Sequence, residues 1–224
     1  VKFPYPDLTT QTYDGHRWYD TPNGFYPSIT TILGFTETPE KKASLKRWQD
    51  ALGAEAVVRS KAATDRGTNV HLLAERYLKK QQVDLPIDGK PVPPADLQSF
   101  NALKMELNKI DEVWGQECAL YSDSIEIAGR CDCVGTYKGL PVIIDFKTSG
   151  KVKGHADIGN YKVQLAFYGL AHNEMYGTNI EDGIILMVSE AGFPQKFMVK
   201  LADHMEELRT RAASFWLAAL NKHV

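Results

Sequence analysis

Only three cysteines occur among the 224 residues: Cys118, Cys131 and Cys133. An odd count without a regular framework argues against a disulfide-stapled secreted scaffold. Four-cysteine zinc or iron–sulfur ligation cannot be met within one such chain. Long apolar runs are also missing. No stretch reaches the roughly 20 residues that cross a bilayer, so no membrane partner is expected. The first residues contain Asp7 and no secretory apolar core, so no signal peptide is expected either. Excess charge is lacking too: 26 Lys and Arg stand against 28 Asp and Glu, a formal net charge of −2. Proteins that coat duplex DNA are usually strongly basic, because their binding rests on neutralised phosphates. The balance therefore argues mildly against such a role. It leaves room for an enzyme whose basic residues line one channel while acidic metal ligands lower the total. Internal repeats and low-complexity segments are absent, and proline clusters only in LPIDGKPVPP, residues 85–94, which reads as a loop.

What is present suffices for one compact domain with a sizeable core: 43% of residues are hydrophobic. We read residues 1–113 as a mostly helical N-terminal part, 114–200 as a sheet with one crossover helix, and 201–224 as a closing helix. Near the start, His16–Tyr19 and Phe25–Tyr26 flank the turn residues Pro22-Asn23-Gly24, as in a short hairpin. Ser28, before Ile29, Ile32 and Leu33, has the position of a helix N-cap. A charged, alanine-rich helix is expected over about 39–62, with Pro39 in its first turn, and a second over about 64–80. Leu97, Phe100, Leu103, Leu107 and Ile110 recur at helical spacing and predict a third helix from Pro94 to Val113. Strands are expected at Gln116–Tyr121, Ile125–Tyr137 and Leu140–Thr148, then a helix over Ile158–Met175, strands at Gly183–Ser189 and Gln195–Lys200, and a helix over Ala202–Asn221. The sum is an α/β fold, a central mixed sheet flanked by helices.

The segment GRCDCVGTYKGLPVIIDFKTS carries the densest chemistry. Asp132 lies on one strand, and Asp145 and Lys147 share a face of its neighbour, because strand side chains alternate. By the same alternation Cys131 and Cys133 are expected together on the face opposite Asp132, as small buried hydrophobes. Asp145 follows four apolar residues, where a carboxylate is costly unless paired or metal-bound. A surface Asp–Lys pair is the plain alternative. Two carboxylates on adjacent strands with a nearby lysine suit Mg²⁺, which takes oxygen ligands, and phosphoryl chemistry. His71 and Glu75, four apart, share a helix face; His71 either completes a metal site or is a satisfied core histidine, and Glu75 orients His71, binds metal through water or pairs with Lys79. Glu117, on the preceding strand, offers another oxygen ligand or is an edge carboxylate. Gln164 and Tyr168 share a helix face and suit contacts to a phosphate, sugar, base or catalytic neighbour, or simply helix–sheet packing. A basic bias exists at Lys41, Lys42, Lys46, Arg47, Arg59, Lys61 and Arg66, diluted by acidic neighbours.

Taken in order, YPSITTIL, RGTNVHLLAE, GQECALYS, GRCD, DFK and QLAFY resemble the PD-(D/E)XK nuclease superfamily. The resemblance is to its RecB-like exonuclease branch, near the mitochondrial genome-maintenance exonucleases and their bacteriophage relatives. It implies a restriction-endonuclease-like core with a helical N-terminal region. It implies metal ligation by His71, Glu117, Asp132 and Asp145, a catalytic set of Asp132, Asp145, Lys147, Gln164 and Tyr168, and DNA contacts at Ser28, Thr30 and Arg66. Asp145 stands where the family name also allows glutamate, and no four-cysteine cluster or helicase is present as in some relatives. The implied activity is Mg²⁺- or Mn²⁺-dependent hydrolysis of DNA, from single-stranded ends, with replication or recombination proteins as partners. A structure-specific endonuclease and a DNA-binding accessory protein with a vestigial site are the competing readings, and RNA is an open substrate. A bacterial or phage-infected cytoplasm is the expected compartment, with a mature mitochondrial matrix protein as the alternative.

Overall fold

A computed structural model describes residues 2–221. The chain opens with a three-stranded antiparallel meander, β1 (Thr10–Tyr13), β2 (His16–Thr21) and β3 (Gly24–Pro27). Here β2 and β3 realise the expected hairpin, and β1 extends it. Helix α1 (Ile29–Phe35) follows, and Ser28 caps it as expected: its Oγ accepts from the Thr31 N–H at 3.0 Å. Then come α2 (Pro39–Leu52), α3 (Ala54–Leu78) and α4 (Pro94–Leu107). The break between α2 and α3 falls at Gly53, not near residue 63. Gly53 adopts φ 54° and ψ −128°, which a glycine reaches without side-chain strain.

The main sheet holds five strands in the order of the chain: β4 (Ile110–Ser122), β5 (Ile127–Tyr137), β6 (Leu140–Ser149), β7 (Asp182–Ser189) and β8 (Pro194–Lys200). Only β6 and β7 run parallel, joined over one face by α5 (Gly159–Tyr176), so the sheet is mixed. A short 3₁₀ turn, Leu201–His204, leads into α6 (Met205–Asn221). The expected helix 94–113 stops at Leu107 instead, and Ile110 begins β4 opposite Tyr137. The three- and four-residue spacing ran on through Ile110, but cross-strand pairing claims that residue.

Two apolar layers hold the sheet. On one face Val163, Phe167 and Ala171 of α5, with Leu208, Ala212 and Phe215 of α6, pack on Ile143, Ile185 and Val199. On the other, Val70, Leu73 and Ala74 of α3 and Phe100, Leu103 and Leu107 of α4 pack on Val142, Ile144, Phe146 and Leu186. Fully burying each such side chain contributes about 1.5–3 kcal/mol. The α5 layer presses close at Gly129 of β5, where an added Cβ would meet Tyr168 Cε1 at 2.9 Å. By contrast, α2 buries no residue, and Leu45 and Trp48 on it are exposed. With the exposed first turns of α3 it stands off the body as an arm. Most of the arm's cations are neutralised locally, by Lys41–Glu37, Lys46–Asp50, Arg59–Glu55 and Lys61–Asp65 pairs.

Candidate metal centre

The site sits where the sheet forks. Pairing of β5 with β6 ends at Cys133↔Ile144. Beyond it β5 continues with β4, while β6 continues with β7 to Ser149. Asp132 lies in the fork, and its Oδ2 accepts the Phe146 N–H at 2.7 Å, a side chain standing in for the missing strand partner. The irregularity corrects one expectation. Cys131 and Cys133 do not share a face: Cys131 packs in the α5 layer and Cys133 in the α3 layer. The turn of the strand at Asp132 breaks the alternation. Both thiols are fully buried, and burial pushes both well above the usual thiol range, so they behave as small hydrophobes.

Opposite Asp132 the partner strand is irregular as well. Gln116 pairs with Cys133 and Cys118 with Cys131, leaving Glu117 facing Asp132 with φ 50°. Among the described residues, the other non-glycine positions with positive φ (Asp14, Lys80, Asp88, Glu126 and Lys138) lie outside the strands and helices; Glu117 alone lies inside a strand. A left-handed residue there is strained, and it swings Glu117 toward α3.

Helix α3 crosses the strands near the fork. Gln116 Nε2 donates to the Glu75 carbonyl at 3.4 Å, His71 meets the Phe146 ring edge-on at 6.0 Å, and a Cβ on Gly67 would lie 3.4 Å from Thr148 Oγ1. His71 Nδ1 reaches 3.5 Å from Asp132 Oδ2. Ligand atoms of His71, Glu117 and Asp132 all lie within 4.8 Å of one another. Glu75 pairs with Lys79 instead, the plainest of its readings.

Asp145 stands just outside that triad, fully buried, with Lys147 Nζ 2.6 Å from either oxygen. Only Oδ1 is aligned as an acceptor; Oδ2 is buried without a donor. Burial raises the Asp145 carboxyl and the Asp132 charge raises it further, more than Lys147 lowers it. Glu117 is likewise raised, by burial first and then by Asp132. Burial alone would depress Lys147, but the Asp145 and Asp132 carboxylates outweigh it, so the amine stays a cation. Crowded carboxylates of raised affinity for protons beside one histidine fit a divalent cation, which would relieve their repulsion.

Gln164 and Tyr168 form a relay rather than an open surface. Gln164 Nε2 donates to Tyr168 Oη at 3.0 Å, which donates to the Arg130 carbonyl at 2.7 Å. The Tyr168 ring is buried and cannot stack on a base. The relay holds β5 two residues before Asp132. Ser28 is buried by its capping role and bonds Thr30 Oγ1 and Thr31 Oγ1, each at 2.9 Å; Thr30 itself is exposed. Arg66 lies on α3, 3.2 Å from Glu190 of the β7–β8 turn. Sequence reading missed Glu190 and also Tyr161, whose ring lies 5.2 Å from Lys147 Nζ, because neither has a local motif. Of the aromatics considered for base stacking, Tyr19 is buried and Trp18 packs into the core, while Trp48 remains exposed on the arm. An apolar cleft of about 560 Å³ between the meander and α6, lined by Tyr13, Trp18, Phe25 and Phe215, holds none of the candidate metal ligands. Among the described residues no helix is long and apolar enough to cross a membrane.

Three curated proteins named mitochondrial genome maintenance exonuclease 1 align with the chain. The Xenopus tropicalis protein is 28% identical over 77% of this chain and 51% of its own length. That of Mus musculus is 26% identical over 88% and 58%, and that of Homo sapiens 25% identical over 75% and 50%. The chain thus spans about half the length of these relatives. The sequence profile of the PD-(D/E)XK nuclease superfamily matches residues 95–223, more than half of the chain and all of the strands that carry Glu117, Asp132, Asp145 and Lys147. With the forked mixed sheet and its carboxylate–lysine pair, this establishes that the chain belongs to the PD-(D/E)XK nuclease superfamily.

Proposed function

We propose that the protein is a Mg²⁺- or Mn²⁺-dependent deoxyribonuclease that degrades single-stranded DNA from an end. The observation that carries the hydrolytic part is the convergence of His71, Glu117 and Asp132 beside the buried Asp145–Lys147 pair. His71, Glu117, Asp132 and Asp145 would hold a divalent ion, which would supply Lewis-acid polarisation of the phosphate and a lowered pKa for a bound water.

The chain's own groups do the rest. Asp132 is fixed by the Phe146 N–H and cannot swing out of the fork. Lys147, held charged by Asp145, is a donor and not a base. It orients the attacking water or offsets charge building on the phosphate oxygens. Tyr161 walls one side of that amine. The Gln164–Tyr168–Arg130 relay keeps β5 in place, so these two residues act as positioning groups.

Exonuclease action is supported by the names of the relatives, and the exposed arm of α2, which leads into the helix bearing His71, offers a flexible single strand an approach to the site. In this reading the working partners are single-stranded DNA and replication or recombination proteins, in a bacterial or phage-infected cytoplasm or a mitochondrial matrix.

End-labelled linear and circular single-stranded DNA, offered with Mg²⁺ or Mn²⁺, test the proposal against a Lys147→Ala control. Loss of the linear strand alone, reduced at least about 100-fold by K147A, is expected. Cleavage of circles would replace it with an endonuclease. A folded protein that binds DNA and cuts neither leaves a duplex nuclease or an accessory role.

A further inference from the structure

Arg66 is almost out of water yet poorly used. Its side chain is 13% exposed, and its Nε is buried with no hydrogen-bond partner. Among the described residues its one ionic contact is Nη1 to Glu190 Oε1 at 3.2 Å, longer than a well-made charge-assisted bond, and Glu190 is 71% exposed. A guanidinium offers five donors in a planar fork that matches a phosphate, so a single long contact to a largely exposed glutamate leaves most of that capacity unspent.

The place is also telling. The turn that carries Glu190 is fastened to the end of the catalytic strand, its N–H donating to the Ser149 carbonyl at 2.7 Å, two residues past Lys147. Arg66 precedes Gly67, which lies against Thr148, and it sits five residues before His71 on the same helix. The pair thus borders the mouth of the metal centre on the β6–β7 side.

We infer that Arg66 is the seat for a DNA phosphate neighbouring the scissile one, and that Glu190 occupies this seat until the strand displaces it. The inference rests on the nuclease reading above. Glu190 keeps the buried cation paired while the site is empty. It repels any strand that does not supply a phosphate at that position, so it makes seating selective.

The test is binding of a fluorescein-labelled single-stranded oligonucleotide, with Ca²⁺ in place of Mg²⁺ to hold the strand uncut, titrated across salt concentrations. Four proteins are compared: wild type, Arg66→Ala, Glu190→Gln and the double variant. Failure of the folded wild type to bind any strand sinks the nuclease reading itself. With wild-type binding in hand, R66A is expected to flatten the salt dependence by about 0.7 in log–log slope, one single-strand phosphate contact. E190Q is expected to tighten binding by roughly 1.5- to 5-fold, the range set by the modest worth of a partly exposed ion pair. That gain should vanish in the double variant. E190Q binding no tighter than wild type overturns the inference, and so does a gain that persists without Arg66, because it would then reflect only a lost surface charge. Should R66A fail to fold, E190Q alone decides, together with Arg66→Lys, which keeps the charge and should retain the slope.

Discussion

Glu117 is asked to hold a backbone geometry that glutamate resists, and the cost is measurable. Its φ of 50° lies in the left-handed region, inside a strand, with its carboxyl crowded by Asp132. A non-glycine residue there loses about 1–2 kcal/mol. Glycine removes that penalty but gives up about 0.5–1 kcal/mol of unfolded-chain entropy relative to alanine. The two ranges differ by about 0–1.5 kcal/mol, so the central expectation is that Glu117→Gly exceeds Glu117→Ala in stability by about 0.75 kcal/mol, or about 1.5–3 °C in Tm for a chain of this size. Both variants lack the carboxylate, so their difference isolates the backbone. Glu117→Gln keeps the strain and nearly the shape while removing the charge, and so isolates repulsion. Thermal unfolding in EDTA measures all three. The same series with Mn²⁺ should show a smaller cation-induced rise in Tm than wild type, because binding to the folded state alone is what lifts Tm. If E117G unfolds at or below E117A in EDTA, the left-handed strain is not present and the account of how Glu117 reaches the fork is wrong.

Two further outcomes follow from other parts of the molecule. Tyr168→Phe removes the donor to the Arg130 carbonyl and should cost about 1–2 kcal/mol; metal titration should stay near wild type while turnover falls, and a loss of metal affinity as large as that of Asp132→Ala would make Tyr168 more than a positioning residue. His172, buried between Tyr5 Oη at 3.0 Å and Thr178 Oγ1 at 2.8 Å, is depressed by burial from 6.5 to about 4. Its unfolded form takes up a proton first as the pH drops, so its share of stability is complete above pH 6.5 and is lost as the pH falls toward 4. Tm measured across that range should decline, and His172→Gln should flatten the decline; parallel curves would show that other groups govern it.

Much of the scaffold was legible because local chemistry and tertiary fate agree. Ser28 caps, Pro39 opens a helix, Pro22-Asn23-Gly24 turns a hairpin, and Phe100, Leu103 and Leu107 face the core. Elements went astray where a local signal met a non-local competitor. Ile110 fits the period of α4 yet pairs with Tyr137 on a strand 27 residues away in sequence. Gly53 is one glycine in an alanine-rich run, and nothing beside it announces a reversal of φ.

The site shows the same division more sharply. The types of its residues could be read from the segments around Asp132 and Asp145, but not the means by which they meet. Strict alternation predicts one face for Cys131 and Cys133 and leaves Glu117 as an ordinary strand residue. The fork defeats both rules at once: β5 abandons β6, a side chain takes over a backbone hydrogen bond at Phe146, and the opposing residue turns left-handed. These departures from regular strand geometry converge on the triad, and each would cost stability in a plain sheet. That expense fits carboxylates crowded together to take a cation. The argument predicts its own exception: with Asp132→Ala, the Phe146 N–H loses its acceptor and Glu117 its counterpart, so the strain at residue 117 should no longer be enforced. In that background the advantage of E117G over E117A should shrink toward zero, and an undiminished advantage would show that the left-handed turn is set by the strand itself and not by the fork.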